Sequence, residues 1–250
     1  MLDIPEIVYL RPPPQSMASL FPEDSDWTHD EALAQHQSFA AALEQAGLEV
    51  RLLHRLERCP RSVQIADVAA ISLDRAFISR FFDPKRRGEE IELEQAIQKL
   101  CVKVHAESPA KVFGGDVVFS DFGLWIGLSS RTNDEGADQL TAFFEGYDIV
   151  RAESETPLRA RMTYLDRGRF LARSDTTDLE FLDDYETIEV PEAEGAAAEA
   201  IILGRHLVLP ESSDQTKMAL EGHGFEVTQV DVSKLLFEDR GIASLGFFCG

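Results

Sequence analysis

Short apolar strands in this chain come in pairs, with turn residues at the midpoint of each pair. The pairs are VAAISL–Asp74-Arg75–AFISR, DVVFS–Asp121-Phe122-Gly123–LWIGLS, RMTYL–Asp166-Arg167-Gly168–RFLARS and AIILG–Arg205–HLVLP. Their turns recur about every 38–48 residues, within the range that marks repeat architectures. Helical segments recur at similar intervals. The clearest covers 29–46, where Leu33, His36, Gln37, Ala40, Leu43 and Ala46 share a face; Thr28 is its N-cap and Gly47 its C-cap. Others are expected over about 88–104, from Asn133 through Phe144, over about 175–184 and over about 213–222. The chain thus reads as an α/β protein of about five strand–strand–helix units, forming one domain over 1–250. Both a closed array, which hides sheet edges, and an ordinary mixed sheet satisfy this spacing.

Charge and composition narrow the function classes. A formal net charge of −21 repels phosphate backbones and anionic membrane surfaces, so neither nucleic acid nor membrane is expected as a partner. The N-terminal Met1-Leu2-Asp3-Ile4-Pro5-Glu6 lacks the features of a signal peptide, and no apolar stretch approaches the roughly 18 residues that span a bilayer. Three cysteines, Cys59, Cys101 and Cys249, show neither a CxxC nor a zinc spacing. Reduced thiols and a cytoplasmic location are the expectation, with no metal and no cofactor.

Several segments carry a more specific signal. In chain order they are Ala34-Gln35-His36-Gln37, Ser62-Val63-Gln64-Ile65-Ala66-Asp67, Pro84-Lys85-Arg86-Arg87-Gly88-Glu89, Phe113-Gly114-Gly115-Asp116-Val117, Gly127-Leu128-Ser129-Ser130-Arg131-Thr132-Asn133 and Asp239-Arg240-Gly241-Ile242-Ala243-Ser244-Leu245. They resemble the QHQ, DSVFVED, PSRRGE, acid-GGDV, GLSxRTN and DGGLTCLS segments of dimethylargininases, members of the pentein superfamily. The resemblance spans almost the whole chain. It implies a five-bladed α/β propeller and a C–N hydrolase site. In that chemistry a cysteine thiolate attacks a guanidinium carbon, a histidine moves protons, acids hold the guanidinium and arginines clamp the substrate carboxylate.

The catalytic positions depart from that pattern. The nucleophile position falls on Ser244, the histidine on Pro157 and the acid before Gly-Gly-Asp on Phe113. Two further acids fall on Arg61 and Ala66. A serine hydroxyl without a base is a poor nucleophile, and five losses together point to natural divergence. Cys249 lies five residues beyond Ser244, an odd step that faces it away along a continuous strand. Asp67, Arg86, Gly115, Asp116 and Arg131 do match, as candidate ligand-binding residues. For these a structural role stands beside the ligand role: Arg131 paired with Asp67 or Asp116 would hold blades together, and the Gly-Gly turn would need positive φ. The segment 15–27, with Phe21 and Trp27, takes the place of the family's lid. The expected function is a non-catalytic binder of an amino-acid-like ligand or a protein partner. The alternative is an enzyme of the guanidino-group-modifying superfamily with altered substrate or chemistry, a hydrolase of C–N bonds, or a dimethylargininase if the alignment fails at these five positions.

Overall fold

The computed structural model describes residues 4–72, 74–176 and 179–250. The chain begins with β1 (Ile7–Leu10), α1 (His29–Gln45) and β2 (Glu49–Leu52). Next come β3 (Ala69–Ser72), β4 (Arg75–Ile78), α2 (Glu90–Ala96) and β5 (Val102–His105). Then follow β6 (Val117–Phe119), β7 (Gly123–Leu128), α3 (Asp134–Phe143) and β8 (Asp148–Glu153). The fourth unit holds the single turn α4 (Leu158–Arg161), β9 (Met162–Asp166), β10 (Arg169–Arg173) and β11 (Glu186–Val190). The last elements are β12 (Ile201–Leu203), β13 (His206–Pro210), α5 (Asp214–Gly222), β14 (Glu226–Val230) and β15 (Gly246–Cys249).

These strands make five three-stranded sheets of one design. The middle strand pairs antiparallel with one neighbour and parallel with the other, as in β3–β4–β5 and β6–β7–β8. The parallel step needs a crossover, which the helix supplies in the helical units. In the first blade the middle strand β1 pairs with β2 and with β15, so the two ends of the chain meet in one sheet. Five buried clusters lie one at each blade junction. Val8 and Leu10 meet Ile201 and Val208, Tyr9 meets Ile78, Phe77 meets Leu124, Trp125 meets Phe170, and Leu171 meets Leu209. The junction between the fifth and first blades closes the ring, which is the five-bladed α/β architecture.

Where sequence and structure differ, the causes are physical. The third strand of each blade is absent from a strand–strand–helix reading, because it lies at the sheet edge with alternating charged residues such as Glu49 and Arg51 or Lys103 and His105. The second helix ends at Ala96 rather than 104, and the β-branched Val102 and Val104 enter β5 instead. Helix α1 carries the expected cap: Thr28 Oγ1 accepts from the Glu31 amide at 3.3 Å and donates to the Glu31 carboxylate at 2.6 Å. Its buried face is Ala32, His36, Phe39 and Leu43; of the expected stripe His36 and Leu43 are buried, Leu33, Ala40 and Ala46 are half-buried, and Gln37 is exposed. In place of a helix over 175–184 there is a short 3-10 helix, Glu180–Asp184, and residues 177 and 178 lie outside the described residues. No helix among the described residues is long and apolar enough to cross a membrane.

A short turn leads into the first strand of every blade: Ile65–Val68, Gly114–Asp116, α4, Glu192–Ala198 and Ile242–Leu245. These turns pack on one another around the centre, and the Ala243 amide donates to the Glu199 carbonyl at 3.1 Å to close the circle. Trp125 is 1% exposed at the junction of the third and fourth blades, with its ring centroid 5.2 Å from that of Phe170. Trp125→Ala should therefore cost about 3–5 kcal/mol, read as a lowered denaturation midpoint in urea.

Candidate functional site

The central turns bring charged side chains together, most of them buried. Asp67, in the turn before β3, is fully buried and receives two guanidiniums. Arg86 Nη1 donates to Asp67 Oδ2 at 2.8 Å, and Arg240 Nη1 donates to Oδ1 at 2.7 Å. Arg86 directs its other donors at Glu89, with Nη2 2.8 Å from Oε2. Arg240 grips Glu199 as a fork, Nε to Oε2 at 2.9 Å and Nη2 to Oε1 at 2.8 Å. Glu199 Oε2 also accepts the Gly241 amide at 2.9 Å, and Arg159 lies 3.7 Å from Oε1. Burial alone would raise the Asp67 pKa, yet the adjacent Arg240 and Arg86 hold it below the ordinary value. At Glu89 burial wins and the pKa rises, despite Arg86.

A second pair lies beside the first. Arg131 Nη2 donates to Asp116 Oδ1 at 3.0 Å, while its Nη1 and Nη2 also reach the carbonyls of Glu155 and Ser154. Thr132 Oγ1 donates to Asp116 Oδ2 at 2.9 Å. Burial pushes Asp116 up to about 6, with Arg131 opposing. The Phe113 ring sits among three guanidiniums: Arg86 and Arg131 lie 5.7 Å and Arg240 5.8 Å from its centroid.

Above these pairs opens a cleft of about 440 Å³, whose walls include Phe81, Phe82, Phe113, Pro157, Arg61 and Glu238. Arg86, Arg131 and Arg240 reach its floor. Among the residues lining it, Arg131 Nε and Gln64 Nε2 have no protein partner and are themselves shielded from solvent. Arg61 is ion-paired with Glu238, which tethers the loop that carries Arg240. Glu238 and Asp239 both have left-handed backbones, φ 55 and 57. Each such residue costs on the order of 1–3 kcal/mol, so the ion pairs on either side hold this loop against its own strain.

The five sequence-predicted ligand residues converge, but not on equal terms. Arg86 and Arg131 face the cleft; Asp67, Gly115 and Asp116 are buried and do not line it. The Gly-Gly turn does not use positive φ at either glycine. Its need is space: a Cβ on Gly114 would stand 2.4 Å from the Ala66 carbonyl oxygen, and one on Gly115 would stand 2.6 Å from the Phe113 ring. Arg131 pairs with Asp116 and not with Asp67. Ser244 is fully buried, and its hydroxyl donates to the Gly241 carbonyl at 2.7 Å. Pro157 and Phe113 line the cleft where an imidazole and a carboxylate were sought, while Ala66 is buried behind it. Cys249 is buried between the first two blades, and contact with Cys101 together with burial pushes its thiol up, away from a reactive thiolate. Segment 15–27 does not cover the cleft. Phe21 stacks on Trp27 at 5.4 Å and meets Phe237 edge-on, so it backs the loop bearing Arg240. Arg240 and Glu199 are the residues that sequence reading missed. The signal for Arg240 was an arginine at the second position of a segment that reads Asp-Gly-Gly in the family; Glu199 left none.

A sequence profile of the family described as eukaryotic N,N dimethylarginine dimethylhydrolase matches residues 15–168, more than half of the chain. The chain belongs to the dimethylarginine dimethylaminohydrolase family. It is 31% identical to N(G),N(G)-dimethylarginine dimethylaminohydrolase of Pseudomonas aeruginosa, over 86% of this chain and 87% of that relative. It is 30% identical to an uncharacterized protein of Aeropyrum pernix, over 96% of this chain and 93% of the other. Among solved structures, the P. aeruginosa enzyme of this family, as a cysteine-to-serine variant in complex with citrulline, superposes with a TM-score of 0.88. The identity is 27%, and 98% of this chain and 99% of that chain are covered. The N-terminal domain of a cyanobacterial arginine dihydrolase has a TM-score of 0.85 at 17% identity, over 98% of each chain, and shares the fold.

The raised Asp116 pKa has a stability consequence with a definite sign. The native carboxyl binds its proton up to about pH 6, while the unfolded one releases it near 3.8. Between those values the folded state holds more protons, so stability from this group is full below 3.8 and falls as pH rises through about 6. His36 slopes the other way, because burial lowers it from 6.5 to about 4. Comparison with Asp116→Asn removes the His36 contribution, which both proteins share. The unfolding free energy of wild type minus that of Asp116→Asn should decline across this window; a flat difference would show that Asp116 titrates normally.

Proposed function

We propose that this chain is a non-hydrolysing member of its family that binds a small amino or carboxylic acid in the cleft. The observation that carries this reading is the state of the nucleophile position: Ser244 is sealed from solvent and its hydroxyl proton is committed to a backbone carbonyl. The cleft lining contains neither a cysteine nor a histidine. Without a thiolate or an imidazole, neither covalent attack on a guanidinium carbon nor proton delivery to a leaving amine has a group to perform it.

What remains in the cleft suits recognition. Arg131 is partly exposed on the cleft wall, and its guanidinium charge complements a carboxylate. Phe81, Phe82 and Phe113 give the rest of the ligand an apolar wall. Loss of the acids at Arg61, Ala66 and Phe113 disfavours a cationic tail. The ligand is therefore an acid with a neutral or anionic tail rather than arginine.

Two measurements test this reading. Citrulline release from methylarginine should be undetectable, since losing catalytic groups together costs on the order of a millionfold. Steady citrulline production that disappears in Ser244→Ala would overturn the non-hydrolysing reading. In a thermal-shift screen of amino and carboxylic acids, at least one should raise the melting temperature of wild type in a concentration-dependent way. That shift should vanish in Arg131→Ala. If no acid shifts wild type, or every hit survives Arg131→Ala, the small-acid reading fails and a protein partner takes its place.

A further inference from the structure

We infer that Arg240 is an internal ligand: its guanidinium fills a cation site built from Asp67 and Glu199 at the floor of the cleft, and thereby excludes guanidino compounds from it. The geometry is that of a bound guanidinium. One edge is gripped as a fork by Glu199, at 2.9 and 2.8 Å, and a third nitrogen meets Asp67 at 2.7 Å. An aromatic ring, Phe113, stands 5.8 Å from its central carbon. The side chain is 3% exposed, yet it reaches the cleft lining, so a path leads from solvent to this point.

The two carboxylates are more than a structural pair for one arginine. Asp67 is fully buried and Glu199 1% exposed, and neither has water to turn to. Without Arg240, Asp67 retains Arg86 on one oxygen, while Glu199 retains only the Gly241 amide and Arg159 at 3.7 Å. A planar cation with donors on two edges satisfies what is left; a point-charge ammonium of similar size lacks the fork. Gly115 contributes by having no side chain, since a Cβ there would lie 3.2 Å from Arg240 Nη2 and 3.0 Å from Asp67 Oδ1. The inference goes beyond the function proposed above, because it concerns the floor and not the ligand of the open cleft.

Chemical complementation tests it. Arg240→Ala empties the site, Arg240→Lys keeps the charge without the fork, and wild type is the filled reference. Each is melted in millimolar methylguanidinium chloride and, separately, in equal methylammonium chloride. Arg240→Ala should start below wild type and recover saturably with methylguanidinium, by about 3–5 °C at tenfold its Kd. Methylammonium should give a small shift or none, and neither wild type nor Arg240→Lys should respond. If Arg240→Ala does not fold unaided, refolding yield replaces melting, and methylguanidinium should raise it above the methylammonium control. Equal effects of the two cations on Arg240→Ala, or an equal response of wild type, would overturn the inference. A failure to find an acid that binds wild type leaves this test unaffected, because its probe is a cation and its variants lie on the floor.

Discussion

Charges of alternating sign, all but Arg159 buried, run through the middle of the five blades: Glu89, Arg86, Asp67, Arg240, Glu199 and Arg159. Asp67, Arg240, Glu199 and Arg159 come from segments of different blades, so their pairing fixes how those segments meet. Removing a charge from water costs several kcal/mol, and only a partner at close range offsets it. Loss of one member therefore leaves its neighbours with fewer partners for a buried charge. The glycines follow from the same constraint. A Cβ on Gly114 or Gly241 would strike a backbone oxygen at 2.4 or 2.2 Å, so both allow the turns to close on the ion pairs.

This series also governs what the cleft can do. A relative of the same fold is solved as a variant in complex with citrulline. Here an arginine of the chain itself lies against the acid that the family resemblance assigns to the substrate cradle. Its loop is held in strained backbone by the Arg61–Glu238 pair and braced from behind by Phe237, Phe21 and Trp27. Two positions where the family resemblance expects acids are thus linked to one feature. Arg61 fastens the loop, and Phe113 gives the arginines a ring to pack on.

Much of this was legible in the sequence, for identifiable reasons. Paired strands with turn residues at their midpoints disclosed the first two strands of four blades, because buried strands are written in continuous apolar runs. The third strands were not legible, since edge strands carry charge and resemble loop or helix; β5 was absorbed into the second helix in this way. On α1 the expected stripe is buried at His36 and Leu43 but omits Phe39, whose large ring centres the buried face between them. At the site, family segments located Asp67, Arg86, Gly115, Asp116 and Arg131. They did not show which of these face solvent, because exposure depends on the cross-chain partners Glu89, Glu199 and Arg240. Arg240 stood in a quoted segment, but its partner Glu199 is 41 residues away and marked by nothing local.

A crystal structure of wild type grown in excess arginine tests the central claim most directly. The account predicts electron density for the Arg240 guanidinium between Asp67 and Glu199, with no free arginine bound at that floor. Density for free arginine contacting Asp67, with Arg240 swung away from Glu199, would contradict it.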